Sequence, residues 1–305
     1  MAAPAWRVLT ASTVGAQHIA AGATGEDAVG VWPPDGRGHD EPAVAVAVAD
    51  GHGHVRHFRS RRGAELAVEV ATAVGAALTT EIAALPGPDQ VEAAFRAAAG
   101  PELVRRWRDA VERDLADRPV TDVERYRAGL APDPSIDDLM YAYGSTLVLA
   151  VAVADWLLLA QIGDGDAFVI TDAGTALRPL PPDPRLDGVV TTSLCQPDAV
   201  AAMRYGVVNR TGQSVGAVLL ATDGFGNAQV RNDWETAFAA DLAALAARHG
   251  RSWFETHLPR WVAQCASNDG SGDDATVALM FAAETAWKPG PAVRSAPSVQ
   301  AGGAP

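Results

Sequence analysis

The chain has 305 residues, with 24 Lys and Arg against 37 Asp and Glu, a formal net charge of −13. Hydrophobic residues make up 48%, enough for a large core and too much for a disordered chain, and the acidic balance excludes phosphate neutralisation by clustered Lys and Arg as in nucleic-acid binders. Two cysteines, Cys195 and Cys265, make no disulfide framework; with no signal-peptide pattern at the start and no apolar run near the ~20 residues of a membrane helix, the expectation is a soluble, cytoplasmic, globular protein that binds neither membrane nor nucleic acid.

In chain order, 6–12 and 28–32 read as short strands. AVAVAVA at 43–49 is apolar on both faces and predicts a buried strand running into Asp50-Gly51. Leu66, Val70, Val74 and Leu78 recur every four residues, which predicts a helix over 63–85 closed by Pro86-Gly87-Pro88. Helices are expected at 89–99 and 102–115, and a loop at 118–139. The apolar runs 146–154 and 156–162, split by Asp155, read as a hairpin, followed by a strand at 167–171. The stretch 172–213 reads as an irregular excursion with a short helix at 197–205, too long for an idle connection. A buried strand at 215–222 ends in Asp223-Gly224. Helices follow at 233–249 and 254–266, a last strand at 275–282, and a disordered tail over 288–305. One domain is expected over 1–287. This order is not βαβ alternation; it fits an α+β layering with sheets packed together and helices outside.

The informative feature is a repeated shape, an apolar strand running out into acids beside Gly: VAVAVAD-GHGH, LLLAQIG-DGD and AVLLATD-GFG, with TGEDAVGVW upstream and SGDDATVALM downstream. A single Asp-Gly is ordinarily a turn. Five acidic clusters at strand ends can converge, and carboxylates held together without a counter-charge repel and have raised pKa values. A hard divalent cation with oxygen ligands removes that cost, and Gly51 lets its carbonyl approach an ion without a Cβ in the way.

GEDA at 25–28, VADGHGH at 48–54, GAELA at 63–67, GST at 144–146, GDGDAFV at 163–169, LLATDGFGN at 219–227 and GDDATVAL at 272–279 occur in an order that resembles the protein phosphatase 2C family of metal-dependent Ser/Thr phosphatases, bacterial type. The resemblance implies a four-layer α-β-β-α sandwich, two antiparallel sheets flanked by helices, with a site for two Mn²⁺ or Mg²⁺ ions at one end. It implies metal-ligand roles for Asp50 (bridging), Gly51 (carbonyl), Asp223, Asp273 and Glu26 (through water), and a weaker third position at Asp164. Asp274 stands where Asn is frequent, and 172–213 corresponds to the variable flap. The implied reaction is hydrolysis of phosphoserine or phosphothreonine by a metal-activated water, on a phosphoprotein and opposing a Ser/Thr kinase. His52 matches the general acid, and an unperturbed imidazole would suit that task.

Two departures stand out. The phosphate-clamping Arg that many members carry four residues before the Glu is Gly22 here; His18 upstream is read either as a weak substitute phosphate ligand or as a structural residue. Asp166 replaces the Arg of the commoner GDSR. Arg56, Arg59, Arg61 and Arg62 read as a surface run at a helix entry. Two alternative readings stand beside the phosphoprotein phosphatase: a non-catalytic binding domain, and a phosphatase of a small phosphorylated metabolite.

Overall fold

The computed structural model describes residues 5–186, 191–283 and 285–288. In chain order the elements are β1 (Trp6–Thr13), α1 (Ala16–Ala21), β2 (Ala28–Trp32), β3 (Asp40–Glu41), β4 (Ala43–Ala49), α2 (Ser60–Ala83), α3 (Pro88–Asp117), α4 (Asp122–Arg127), α5 (Ile136–Tyr141), β5 (Leu147–Val153) and β6 (Trp156–Ile162). They continue with β7 (Asp166–Ile170), β8 (Ala176–Leu177), α6 (Ala199–Ala202), β9 (Arg204–Asn209), β10 (Ala217–Ala221), α7 (Asp223–Asn227), α8 (Trp234–His249), α9 (Trp253–Cys265) and β11 (Ala275–Ala282). Six strands form one sheet, in the order β3-β1-β11-β10-β7-β8, and five the other, in the order β2-β4-β5-β6-β9. Neighbouring strands pair antiparallel throughout.

The alternation in β4 shows how sequence makes the layers. Val44, Val46 and Val48 point between the sheets and meet Val148, Leu157, Val218 and Met280. Ala45, Ala47 and Ala49 point outward beneath α2. Each valine buried this way contributes roughly 1.5–3 kcal/mol, while the alanines let the helix lie close: a Cβ on Gly75 would stand 2.6 Å from Ala45 Cβ. On the far side, Phe254, Leu258 and Val262 of α9 and Leu242 of α8 cover the six-stranded sheet. The four-layer α-β-β-α sandwich follows, as expected. By length and apolar composition α2 alone, among the described residues, reaches a membrane-spanning helix; here it packs against β2, β4, β5 and α3.

Several local expectations change. The helices expected at 89–99 and 102–115 are one helix, α3, running through Pro101. The proline removes one N–H, but Phe95, Ala99, Leu103 and Trp107 on both sides bury into the same core, and that burial outweighs the break. The expected loop at 118–139 holds α4 and α5. Each begins with a capping box, Thr121 with Glu124 and Ser135 with Asp138, a signal legible as T-x-x-E and S-x-x-D. The β5–β6 hairpin turns through two residues, Ala154 at φ 48° and Asp155. The excursion 172–213 is not irregular throughout: β9 within it is the edge strand on β6, because Tyr205 and Val207 pack into the α2–α3 core; residues 187–190 lie outside the described part. Lys288 is tied back by its N–H to the Asp172 carbonyl (2.8 Å), while the rest of the expected tail, 289–305, lies outside it.

Candidate active site

Antiparallel pairing brings five chain segments to one end of the sandwich. Ala28 pairs with Ala49, so Glu26 and Asp27 lie beside Asp50. Ala221 pairs with both Asp166 and Val277, which sets Asp223, the GDGD turn and Asp273-Asp274 together. Glycines permit the approach. A Cβ on Gly51 would sit 2.8 Å from the Ser60 carbonyl carbon and 3.0 Å from the Glu26 carbonyl oxygen. A side chain at Gly224 would run into the Asp274 carbonyl.

Asp50 is the centre. Its N–H donates to Thr146 Oγ1 (3.0 Å), and the Thr146 N–H donates back to its carbonyl (2.8 Å). Its carboxyl lies close enough to Asp27 and Asp223 to share a proton with either. Burial first, and then the charges of Asp27, Asp223, Asp273 and Asp164, hold Asp50 well above the usual carboxylate range. Burial likewise pushes Asp27 up to about 7, against hydrogen bonds from Thr222 and Thr276. Asp223 rises to about 6 through burial and the charges of Asp164 and Asp273, although Asn227 Nδ2 donates to it (2.9 Å). Asp166 also rises to about 6, through burial that the nearby Arg178 only partly offsets. Asp164 and Asp273 form the exposed rim.

Glu26 Oε1 accepts from Ser60 Oγ (2.9 Å), whereas Glu26 Oε2 and Asp27 Oδ1 are buried without a hydrogen-bond partner. Among the described residues no three His, Cys, Asp or Glu side chains stand as a preformed ion cage. The donor set nonetheless fits hard divalent cations: it is all oxygen, anionic, mutually repelling, and has two unsatisfied buried oxygens. Ions seated there would replace the shared protons.

A second layer fixes the first. Asp274 is buried and accepts from the N–H groups of Gly15 (2.7 Å) and Glu26 (2.5 Å) and from His18 Nδ1 (2.9 Å). Burial alone would raise it, but these contacts hold it below the ordinary value. Burial pulls His18 down, and the hydrogen bond and charge of Asp274, then Glu26 and Asp273, more than reverse this. His18 Nε2 faces Glu26 Oε2 at 3.9 Å.

A family model described as protein phosphatase 2C matches residues 14–263.

The chain belongs to the protein phosphatase 2C family.

No curated protein matches it in sequence. Solved structures share the fold. The catalytic domain of the Ser/Thr phosphatase PstP, in complex with two manganese ions, is 18% identical, covers 91% of this chain and 98% of its own, and has a TM-score of 0.52. PppA of Pseudomonas aeruginosa, described as a key regulatory component of T6SS, gives 16%, 91%, 97% and 0.52 on the same measures. The Ser/Thr phosphatase Stp1 from Staphylococcus aureus gives 13%, 90%, 94% and 0.54.

For this phosphatase 2C domain the structure brings Glu26, Asp50, Gly51, Asp164, Asp223 and Asp273 to one place. It adds Asp27 and Asp166, which the sequence shows as the second acid of each pair but which sequence reading left without a role. Asp274 stands behind the cluster as an anchor. The expectation of an unperturbed His52 does not hold: burial, then the neighbouring His57, push it down to about 4. Gly22 has a reason to be glycine. It is the left-handed cap of α1 (φ 67°), with its N–H on the Ile19 carbonyl and the Ala23 N–H on the His18 carbonyl. The arginine run is structural. Arg59 pairs with Glu124, Arg61 with Glu65, and Arg62 with Asp114 and Glu65, while Arg56 lies over the Tyr141 ring. Ser145 opens β5 as a packing residue, its N–H on Ser193 Oγ (3.1 Å).

Proposed function

We propose that this phosphatase 2C domain hydrolyses phosphoserine and phosphothreonine in proteins, with Mn²⁺ or Mg²⁺ bound by Asp50, Gly51, Asp223, Asp273 and Glu26 and a further cation at Asp164. The observation that carries the reading is the convergence of acids from four other segments on Asp50, whose carboxyl is held well above the usual range by burial and then by the charges of Asp27, Asp223, Asp273 and Asp164. The two manganese ions named with PstP support the cofactor class.

Bound divalent cations would supply an activated water and neutralise charge on the phosphoryl oxygens. Asp50 is held by Thr146 so that its carboxyl faces acids from both sheets. Ser60 and the Glu26 backbone contact with Asp274 orient Glu26. His18, whose pKa the Asp274 hydrogen bond and charge raise at the edge of the cluster, meets a phosphate oxygen in place of the arginine absent at Gly22. His52 follows Asp50-Gly51 in the chain and, in its protonated form, donates a proton to the departing Ser or Thr oxygen. Thr192 and Arg204, from the stretch after residue 190, form one wall: the Gly163 N–H donates to Thr192 Oγ1 (2.9 Å) and Arg204 Nη2 donates to the Gly163 carbonyl (2.7 Å), next to Asp164.

The kinase that phosphorylates the same substrate is the natural counterpart of this activity. Purified protein with Mn²⁺ or Mg²⁺ should release phosphate from a phosphoserine peptide. No turnover with any divalent cation, on peptide or aryl phosphate, would overturn the reading.

A further inference from the structure

The His52 ring has a second imidazole packed against it. His57 closes the helical turn Val55–His57, its N–H on the His54 carbonyl (2.7 Å). Its Nδ1 lies against the carbonyl of Tyr141, so Nδ1 carries the proton and the ring plane is set. The His57 ring then meets the His52 ring edge to face, centroids 5.0 Å apart and planes at 66°.

The space for this pair is built. Both rings press on Gly144: a Cβ there would lie 2.7 Å from His52 Cδ2 and would collide with His57 Nδ1. The Gly144 carbonyl meanwhile accepts the His52 N–H (3.1 Å). The glycine of the GST motif thus opens a slot. One wall of that slot is the backbone of 144, and the other is the His57 ring.

We propose that His57 is a positioning residue, which holds the His52 imidazole in the orientation that delivers a proton to the departing Ser or Thr oxygen. The inference rests on the phosphatase reading above. In that reaction the P–O ester bond breaks as the oxygen of water bonds to phosphorus. The departing oxygen takes the proton of His52 and leaves as a hydroxyl. The proton lost by the water restores His52 by way of solvent.

A proton donor matters for an alkoxide leaving group and hardly at all for a nitrophenolate. His57→Ala should therefore lower kcat on a phosphoserine peptide about tenfold or more, leave its KM unchanged, and leave p-nitrophenyl phosphate turnover within about twofold. His52→Ala should show the same selectivity, and the double variant should be no slower than His52→Ala alone. Equal losses on both substrates, or an additive double variant, would overturn the proposal. Imidazole NMR without added metal reads the positioning apart from turnover. His57→Ala should shift and broaden the His52 ring signals and spare those of His18; unchanged His52 signals would overturn it. Wild-type protein inactive on both substrates would defeat the phosphatase reading, and the NMR would still decide the positioning.

Discussion

Asp50 and Asp223 meet carboxyl to carboxyl although β4 belongs to the five-stranded sheet and β10 to the six-stranded one. The contact exists because the two sheets stack with these strand ends at the same edge. It concentrates negative charge where the core is dry.

That charge makes stability depend on pH and on cations. Asp27, Asp223 and Asp166 have folded pKa values of about 7, 6 and 6 against 3.8 unfolded. The folded state therefore holds more protons between these limits, and its stability is highest below the unfolded value and falls as pH rises through the folded ones. Metal-free protein should lose on the order of a few kcal/mol between pH 5 and 8. Mn²⁺ or Mg²⁺ should restore it, read by Tm at each pH. Asp50→Asn should flatten the slope, raise the metal-free Tm, abolish the response to metal, and reduce activity by several orders of magnitude.

Asp274 serves three donors from two segments, and its removal leaves the Gly15 and Glu26 N–H groups without their acceptor. Asp274→Ala should cost about 3 kcal/mol in urea denaturation. Asp274→Asn, which keeps one acceptor oxygen, should cost less than half of that.

Gly22 is a backbone requirement, so restoring the family arginine there should destabilise. Gly22→Arg places a side chain at φ 67°, and the expected loss is about 1 kcal/mol, checked by chemical denaturation. Gly22→Asn should lose less, since Asn tolerates the left-handed region.

Glu124 caps α4 through Thr121 and receives both Nε (3.0 Å) and Nη2 (3.1 Å) of Arg59. Burial alone would raise it, but the Arg59 hydrogen bond, then Thr121 and the Arg59 charge, bring it down to about 2 from 4.5. Its stabilisation is thus complete above the unfolded value and is lost as pH falls toward 2. Glu124→Gln should cost about 1–2 kcal/mol at pH 7, allowing for solvent screening, and the gap to wild type should close on acidification below pH 4.

Much of this protein was legible without coordinates. The Val/Ala alternation of 43–49 dictates a strand buried on both faces, because side chains alternate with period two. Acids placed just past apolar runs dictate charge at strand ends, and their joint order carried the family resemblance. Other features depend on contacts between distant segments. α3 runs through Pro101 because its two halves share a core that no local pattern shows. β9 exists because β6 offers an open edge. His52 and His57 touch because Gly144, far along the chain, makes room for both. Local residue types fix backbone preference and burial pattern; pKa values, caged charges and the facing of two imidazoles are sums over neighbours that only the packed sheets bring within reach.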